Sequence, residues 1–303
     1  MAEDDITYRW EDWTWDETVF TGTAAHYRQG RKPYAPDLAR ALAQHLGLDG
    51  RGRLFDVGCG PGSVALLFAH LFEEVIGLDA DPGMLAEAAR AAREEETENT
   101  AWVRMRAEEL PASLGSFRVI SFGQSFHWMD RPRVAAAVRA MLDPGGAVVQ
   151  VELWHTSPPD GQPKTGPHPP VPETGIDELR RRWLGPHRRA GQGFRDTSPS
   201  GEDDVFQDAG FAPERIVVVP DDRLITRSAD DVVAWVLSTS STAPHLFGEQ
   251  LDDFVRDLRS LLFRTSPNGQ FTVALSENRL RIRRPLPYVR SPHDADVAAP
   301  RSP

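Results

Sequence analysis

The chain has 303 residues, with 45 acidic against 34 basic side chains for a net charge of −11, and 40% of it is hydrophobic. Its 26% charged fraction excludes wholesale disorder, no apolar run approaches the roughly 18 residues of a membrane span, and the acidity argues against nucleic-acid or membrane partners. The single cysteine, Cys59, excludes an intrachain disulfide and any CxxC metal site, and with an acidic start that lacks an apolar signal core the chain reads as cytoplasmic.

Residues 1–17 carry seven acids, one arginine and the tryptophans Trp10, Trp13 and Trp15, so residues 1–19 read as an acidic tail with aromatics that dock. Leu54–Val57 is a short apolar run ending in glycines, the mark of a buried strand. Helical spacing follows over 63–72, and Val75–Leu78 reads as a second strand. Asp81-Pro82 opens a helix over 84–93, with Asp as N-cap and Pro at the first helical position. Residues 102–105, 118–121 and 147–151 supply three more strands, with a helix over 132–141. Such alternation implies parallel strands with helices on both faces, and ligands in such sheets bind outside the carboxyl ends of the strands.

The second half is looser. Seven prolines fall between Pro158 and Pro172, too many for a helix or central strand. A short helix ends near Phe211, and Ile216–Val219 reads as a strand. Ser228 with Asp231 forms a capping box ahead of Val232 and Trp235, and Leu251 to Leu262 shows a one-sided apolar stripe. Residues 271–284 read as one last strand. The expected organisation is one domain over 20–288 with cap insertions at about 156–205 and 220–268, a cap without an independent core, and a disordered tail over 289–303.

The chemistry concentrates at the strand ends. Asp56-Val57-Gly58-Cys59-Gly60-Pro61-Gly62-Ser63 joins the first strand to the first helix that follows it, and its glycines allow a sharp turn and close approach to a ligand. A dinucleotide site calls for G-x-G-x-x-G, whereas here Ser63 takes the third-glycine position, which weakens a nicotinamide-dependent oxidoreductase. Asp79 ends the second strand, placed to accept hydrogen bonds from both hydroxyls of a ribose. Ala107-Glu108 and Gly123-Gln124 follow the third and fourth strands, so all four positions line one crevice.

With Val75–Leu85, Arg106–Pro111, Phe122–Arg131, Leu142–Gly146 and the entry segment Phe20–Tyr34, this sequence resembles the class I S-adenosylmethionine-dependent methyltransferases. The resemblance is to their small-molecule branch, which includes trans-aconitate methyltransferase-like proteins of the type 11/25 domain. It implies a Rossmann-like α/β fold with a seven-stranded, mostly parallel sheet and an inserted helical cap. It further implies that Gly58 and Gly60, with Asp56 beside them, face the methionine part of the cofactor, and that Asp79 holds the ribose. Ala80 and Met84 then pack on the adenine, Ala107 and Glu108 meet its edge, Gln124 runs under the sulfonium, and Tyr27 and Arg31 close over it. Arg106 stands where relatives often have an acid, and Lys32 where they often have proline.

Methyl transfer asks mainly for in-line positioning and, for some acceptors, removal of a proton. His127 is the candidate base, because a free imidazole titrates near pH 6.5; its competing role is a structural hydrogen bond. No acidic cluster has metal-ligand spacing, so no metal is expected. Trp128, Trp154, His155, Trp183, His187 and Trp235 divide between an aromatic acceptor pocket and cap core. Arg180, Arg181, Arg182, Arg188, Arg189 and Arg195 form the one basic concentration, which reads as a solvated helix face ahead of an attractor for an acidic substrate or an RNA phosphate. The expected activity is methyl transfer to an oxygen, carboxylate or hydroxyl, of a small molecule, such as a natural-product intermediate, by a monomer or homodimer. A non-catalytic partner module of the same fold is the third reading.

Overall fold

The computed structural model describes Arg9, Asp12 and residues 14–154, 166–275 and 277–287. Two helices, α1 (Ala24–Gly30) and α2 (Leu38–Leu46), precede an alternating series. It runs β1 (Arg53–Val57), α3 (Ser63–Phe68), β2 (Glu74–Asp79), α4 (Pro82–Glu94), β3 (Thr100–Arg104), β4 (Phe117–Gly123), α5 (Arg131–Ala140) and β5 (Leu142–Trp154). The second half adds α6 (Glu173–Leu184), β6 (Arg189–Ala190), β7 (Gly193–Phe194), α7 (Glu202–Asp208), β8 (Arg215–Val219) and β9 (Leu224–Ser228). It ends with α8 (Ala229–Leu237), α9 (Leu251–Thr265), β10 (Gln270–Ala274) and β11 (Glu277–Arg283).

Seven strands form the central sheet in the order β3-β2-β1-β4-β5-β11-β8, parallel except that β11 runs antiparallel to both its neighbours. This is the seven-stranded, mostly parallel α/β sheet expected, and it reverses direction of winding between β1 and β4, where a crevice opens beyond the strand ends. Alternate residues of each strand feed opposite cores. Leu54, Val119 and Val149 join Leu38, Leu42 and Phe68 on one face, while Phe55, Ile120 and Val148 join Val134, Val138 and Phe206 on the other. Burial on both faces is why these strands read as near-continuous apolar runs, and each buried side chain contributes about 1.5–3 kcal/mol.

Local chemistry sets the helix starts. Asp81 Oδ1 accepts from the amides of Gly83 (2.7 Å) and Met84 (3.1 Å) and caps α4, with Pro82 in its first turn. Ser228 and Asp231 form the reciprocal capping box of α8.

Two expectations give way. The single strand over 271–284 is two: β10 pairs with β9 in a separate two-stranded sheet, and β11 belongs to the central one. Phe271 is committed to the cap, whereas Leu280 and Ile282 belong to the main core. The cap also has a core of its own, in which Ile176 and Leu179 of α6, Val232 and Val236 of α8, and Phe254, Leu258 and Leu262 of α9 pack around Phe271. The apolar stripes of the three helices are buried against one another. Among the described residues no helix is long and apolar enough to cross a membrane.

Candidate active site

The site grows out of the turn after β1. Gly58 has φ +67°, and a Cβ there would lie 2.7 Å from Ser125 Cβ and 2.8 Å from Met129 Cε, so the β1 turn and the β4 loop approach too closely for any other residue. Ser125 Oγ reinforces this junction by donating to the Val57 carbonyl at 2.6 Å. Gly60 also has positive φ but faces open space, which leaves room for a ligand against the backbone.

Two carboxylates organise the strand ends. Asp56 is fully buried; its Oδ2 accepts from the Ala65 amide (3.1 Å) and its Oδ1 from Ser121 Oγ (2.7 Å), tying β1 to α3 and β4. Burial pushes its carboxyl up to about 7, while those two hydrogen bonds pull the other way. Asp79 Oδ2 accepts from the Gly60 amide (2.8 Å) and Oδ1 from the Asp81 amide (2.9 Å), so one side chain fixes the turns after both β1 and β2. Burial raises its pKa, opposed by those amides. Each oxygen of Asp79 keeps a further lone pair for a hydroxyl donor.

At the next strand ends, Ala107 is buried and Glu108 is already engaged. Glu108 Oε1 accepts from the Asp130 amide at 3.0 Å, and Oε2 lies 3.4 Å from Arg106 Nε. Gln124, the residue after β4, adopts φ +58°. A non-glycine residue in this left-handed region costs roughly 1–2 kcal/mol, and here it turns the chain beneath the crevice.

These elements frame two adjoining clefts. The first, about 680 Å³, is lined by Gly58, Gly60, Asp79, Ala80, Met84, Ala107, Glu108, Tyr27 and Gln124, nine of the residues singled out from the sequence. The second, about 1890 Å³, shares Tyr27, Gly58, Gly60 and Gln124 and adds the remaining three, Arg31, Asp56 and His127. Arg31 stacks its guanidinium 4.7 Å from the Tyr27 ring centre and donates through a terminal nitrogen to the Ser238 carbonyl at 2.7 Å. Its Nε is buried without a hydrogen-bond partner.

His127 differs from the free imidazole assumed above. Burial, with Arg195 and Arg131 close by, pushes it down to about 4, so the ring is neutral and only weakly basic near pH 7. Its carbonyl accepts from Arg195, whose guanidinium lies 4.1 Å from the Trp128 ring centre. Arg195 is therefore not on a solvated helix face. Nor is Arg180, which is 4% exposed and donates to the carbonyls of Gly185, Pro186 and His187 beyond the end of α6. Both arginines satisfy backbone groups that a turn leaves unpaired.

Of the aromatic candidates, Trp128 lines both clefts, Trp183 and Trp235 pack on the cap core, and His187 Nδ1 lies 2.8 Å from Asp196 Oδ2. The side chain of Trp154, His155, Trp10 and Trp13 lie outside the described residues. Sequence reasoning missed several lining groups. Trp15 and Phe20 lie over the first cleft, Phe20 meeting Trp128 edge-on at 5.3 Å. Tyr34, Arg188, Thr239, Ser240 and Ser241 line the second. The tryptophans of the amino-terminal stretch, the entry segment bounded by Phe20 and Tyr34 and the basic concentration holding Arg188 were the available signals, whereas nothing marks Thr239–Ser241.

The curated relatives that the sequence matches are described as methyltransferases. Residues 54–146 match the methyltransferase domain family. The chain is 31% identical over 154 residues to an uncharacterized methyltransferase, YcgJ, of Bacillus subtilis (strain 168), covering 48% of this chain and 57% of that one. It is 29% identical over 143 residues to a malonyl-[acyl-carrier protein] O-methyltransferase of Enterobacter lignolyticus (strain SCF1), covering 47% and 55%. The crystal structure of YcgJ superposes with a TM-score of 0.45 at 19% identity, covering 80% of this chain and 97% of that one. The chain spans about half the length of the curated relatives it matches.

Proposed function

We propose that the chain is a class I S-adenosylmethionine-dependent methyltransferase that methylates an oxygen of a small-molecule acceptor, a reading supported by the match of residues 54–146 to a methyltransferase domain. The observation that carries this reading is the pair of clefts meeting at Gly58, Gly60, Tyr27 and Gln124. In this reading the first takes the nucleoside and the second the acceptor. The residues fit the cofactor on the site's own chemistry. Asp79 offers two acceptor oxygens in a buried setting, Gly60 leaves open space above its backbone, and Arg31 Nε is a buried donor without a partner, suited to a carboxylate.

S-adenosylmethionine supplies a methyl group already activated on a sulfonium, so the protein's task is placement and exclusion of water. Asp79 holds the ribose hydroxyls, Met84 and Ala80 line the adenine end, and Arg31 meets the carboxylate of the methionine part. Gln124 and Trp128, common to both clefts, orient the acceptor oxygen toward the methyl group. His127, neutral and with its pKa lowered, is a feeble acceptor for the proton of an alcohol. That favours an oxygen that arrives ionised, as in a carboxylate, which needs no base.

Calorimetric titration with S-adenosylmethionine, S-adenosylhomocysteine and NAD tests the reading. Both sulfur ligands are expected to bind and NAD is not, and Asp79→Ala is expected to weaken the sulfur ligands by roughly a hundredfold, the loss of two charge-assisted hydrogen bonds. A folded protein that ignores both sulfur ligands would sink it.

A further inference from the structure

We infer that Arg227 of the cap is a positioning residue for Arg31, holding the end of α1 where the Arg31 guanidinium faces the carboxylate of the cofactor's methionine part. The inference deepens the methyl-transfer reading and rests on it. Arg227 lines neither of the two large clefts. Its guanidinium nevertheless donates through one terminal nitrogen to the Gln29 carbonyl and through the other to the Arg31 carbonyl. Those carbonyls lie where α1 runs out of donors of its own.

The rest of the joint belongs to the cap as well. Gln29 Nε2 donates to Asp231 Oδ1 at 3.0 Å in the first turn of α8, and Arg31 donates to the Ser238 carbonyl at 2.7 Å, past the other end of that helix. Between these two points α1 crosses α8 backbone to backbone. A Cβ on Gly30 would lie 2.4 Å from the Ala234 carbonyl carbon and from the Trp235 amide nitrogen. Lys32 donates to the Ala274 carbonyl of β10 at 3.3 Å and has Glu173 of α6 as its opposite charge. Arg227 has a firm seat of its own, in β9 opposite Phe271, which is fully buried in the cap core. Arg28 ties α1 to α4 through Glu94 at 2.9 Å and Glu95 at 2.7 Å, but these are surface pairs, which hold little.

The site is therefore divided between two bodies of the fold. Gly60 and Asp79, at the nucleoside end, are set by the sheet and bonded to each other, whereas Arg31 is set by the cap. The Arg31 side chain is fixed by its stacking on Tyr27 and its bond to the Ser238 carbonyl, and its buried Nε has no hydrogen-bond partner. With the side chain pinned, the place of that donor follows the place of the α1 end. A misplacement of about 1 Å costs a positioned group much of its contribution. Arg227 acts on the cofactor cleft through Arg31 alone, which separates it from a residue that only closes off a helix end.

S-adenosylhomocysteine and 5′-methylthioadenosine, titrated by calorimetry into the full chain as wild type, Arg227→Gln, Arg31→Gln and the double variant, test the inference. The second ligand keeps the nucleoside and the thioether sulfur but has no carboxylate. Arg227→Gln is expected to weaken S-adenosylhomocysteine about tenfold and 5′-methylthioadenosine less than about twofold. With Arg31→Gln already in place, Arg227→Gln is expected to cost nothing further, because a residue that acts through another is silent once that other is gone. Arg227→Lys, which keeps the charge and a donor for the carbonyls, is expected to recover part of the loss, and it carries the same comparison should Arg227→Gln fail to fold. Equal weakening of both ligands, or a loss that persists undiminished in the Arg31→Gln background, would overturn the inference. A wild type that does not bind S-adenosylhomocysteine would sink the cofactor reading beneath it, whereas wild-type binding that Arg227→Gln leaves intact would sink this inference alone.

Discussion

His127 sits among two arginines and little water, and the consequence is a pH dependence that can be measured apart from catalysis. Its folded pKa is about 4 against an unfolded value near 6.5. Between those values the unfolded chain binds the proton and the folded chain does not. Stability from His127 is therefore present above about pH 6.5 and is lost as pH falls toward 4. Asp56 acts in the opposite sense over an overlapping window. Its folded pKa is about 7, so its contribution declines as pH rises from roughly 4 to 7. The wild-type profile sums two opposing slopes, and His127→Asn isolates one of them. Urea unfolding at pH 7 and pH 4.5 is expected to show the wild type losing about 1–3 kcal/mol more than the variant on acidification. Equal losses would mean that the folded imidazole protonates normally.

The elements divide into those that hold the first cleft and those that hold the cap, and α9 belongs to the second group. Leu258 is fully buried against α6 and α8 residues, so Leu258→Ala is expected to cost about 2–5 kcal/mol. The first cleft draws its floor from the ends of β1 to β4, and S-adenosylhomocysteine affinity is expected to stay within about threefold of the wild type, as for sites without shared contacts. Thermal unfolding and calorimetry on one sample check both, and a parallel fall in affinity would show the two regions to be coupled. The same division explains what was legible. The strands and helices from Leu54 to Gln150 carry their own apolar period and caps, and eleven of the twelve candidate site residues sit at strand ends, in the turns after them or in the entry segment, with Met84 in the first turn of α4, which is why they converge. The break between β10 and β11 had a signal, since apolar residues fall on odd positions through Phe271, Val273 and Leu275 and on even ones at Leu280 and Ile282; a change of phase means a change of face. The helix α2 had one too, with Leu38 and Leu42 a turn apart and Gly47 closing it in the left-handed conformation. Thr239–Ser241 had none. They lie at helix ends and turns, whose place is decided by how the cap helices pack, and no periodicity reaches that far.

At the scale of the whole molecule, the amino-terminal stretch and the cap meet above the first cleft. Trp15 and Phe20 line that cleft, and Asp16 fastens the stretch from outside, its Oδ2 accepting from the Gln192 amide at 2.8 Å and its Oδ1 from the Thr18 amide at 2.8 Å. Gln192 lies in the turn between β6 and β7, and the next residue back, Gly191, is pressed so closely on Asp16 that a Cβ would run into the carboxylate. The cap turn thus clasps a strap over the first cleft, which His245 also holds through the Thr21 carbonyl at 3.1 Å. A ligand beneath such a strap leaves when the strap lifts, so weakening the clasp raises the dissociation rate more than it changes association. Asp16→Ala removes hydrogen bonds worth about 0.5–1.5 kcal/mol each, or more for a charged acceptor, and is expected to speed S-adenosylhomocysteine release by roughly tenfold. Gly191→Ala, which pushes the strap off from the other side and strains a backbone at φ +61°, is expected to act in the same direction. Stopped-flow displacement followed by tryptophan fluorescence, with Trp15 and Trp128 both at the cleft, reads the rate directly. Release at the wild-type rate in both variants would show that the strap covers the cleft without governing exit. Faster release in both would make the contact between strap and cap a determinant of how quickly a ligand of the first cleft is exchanged.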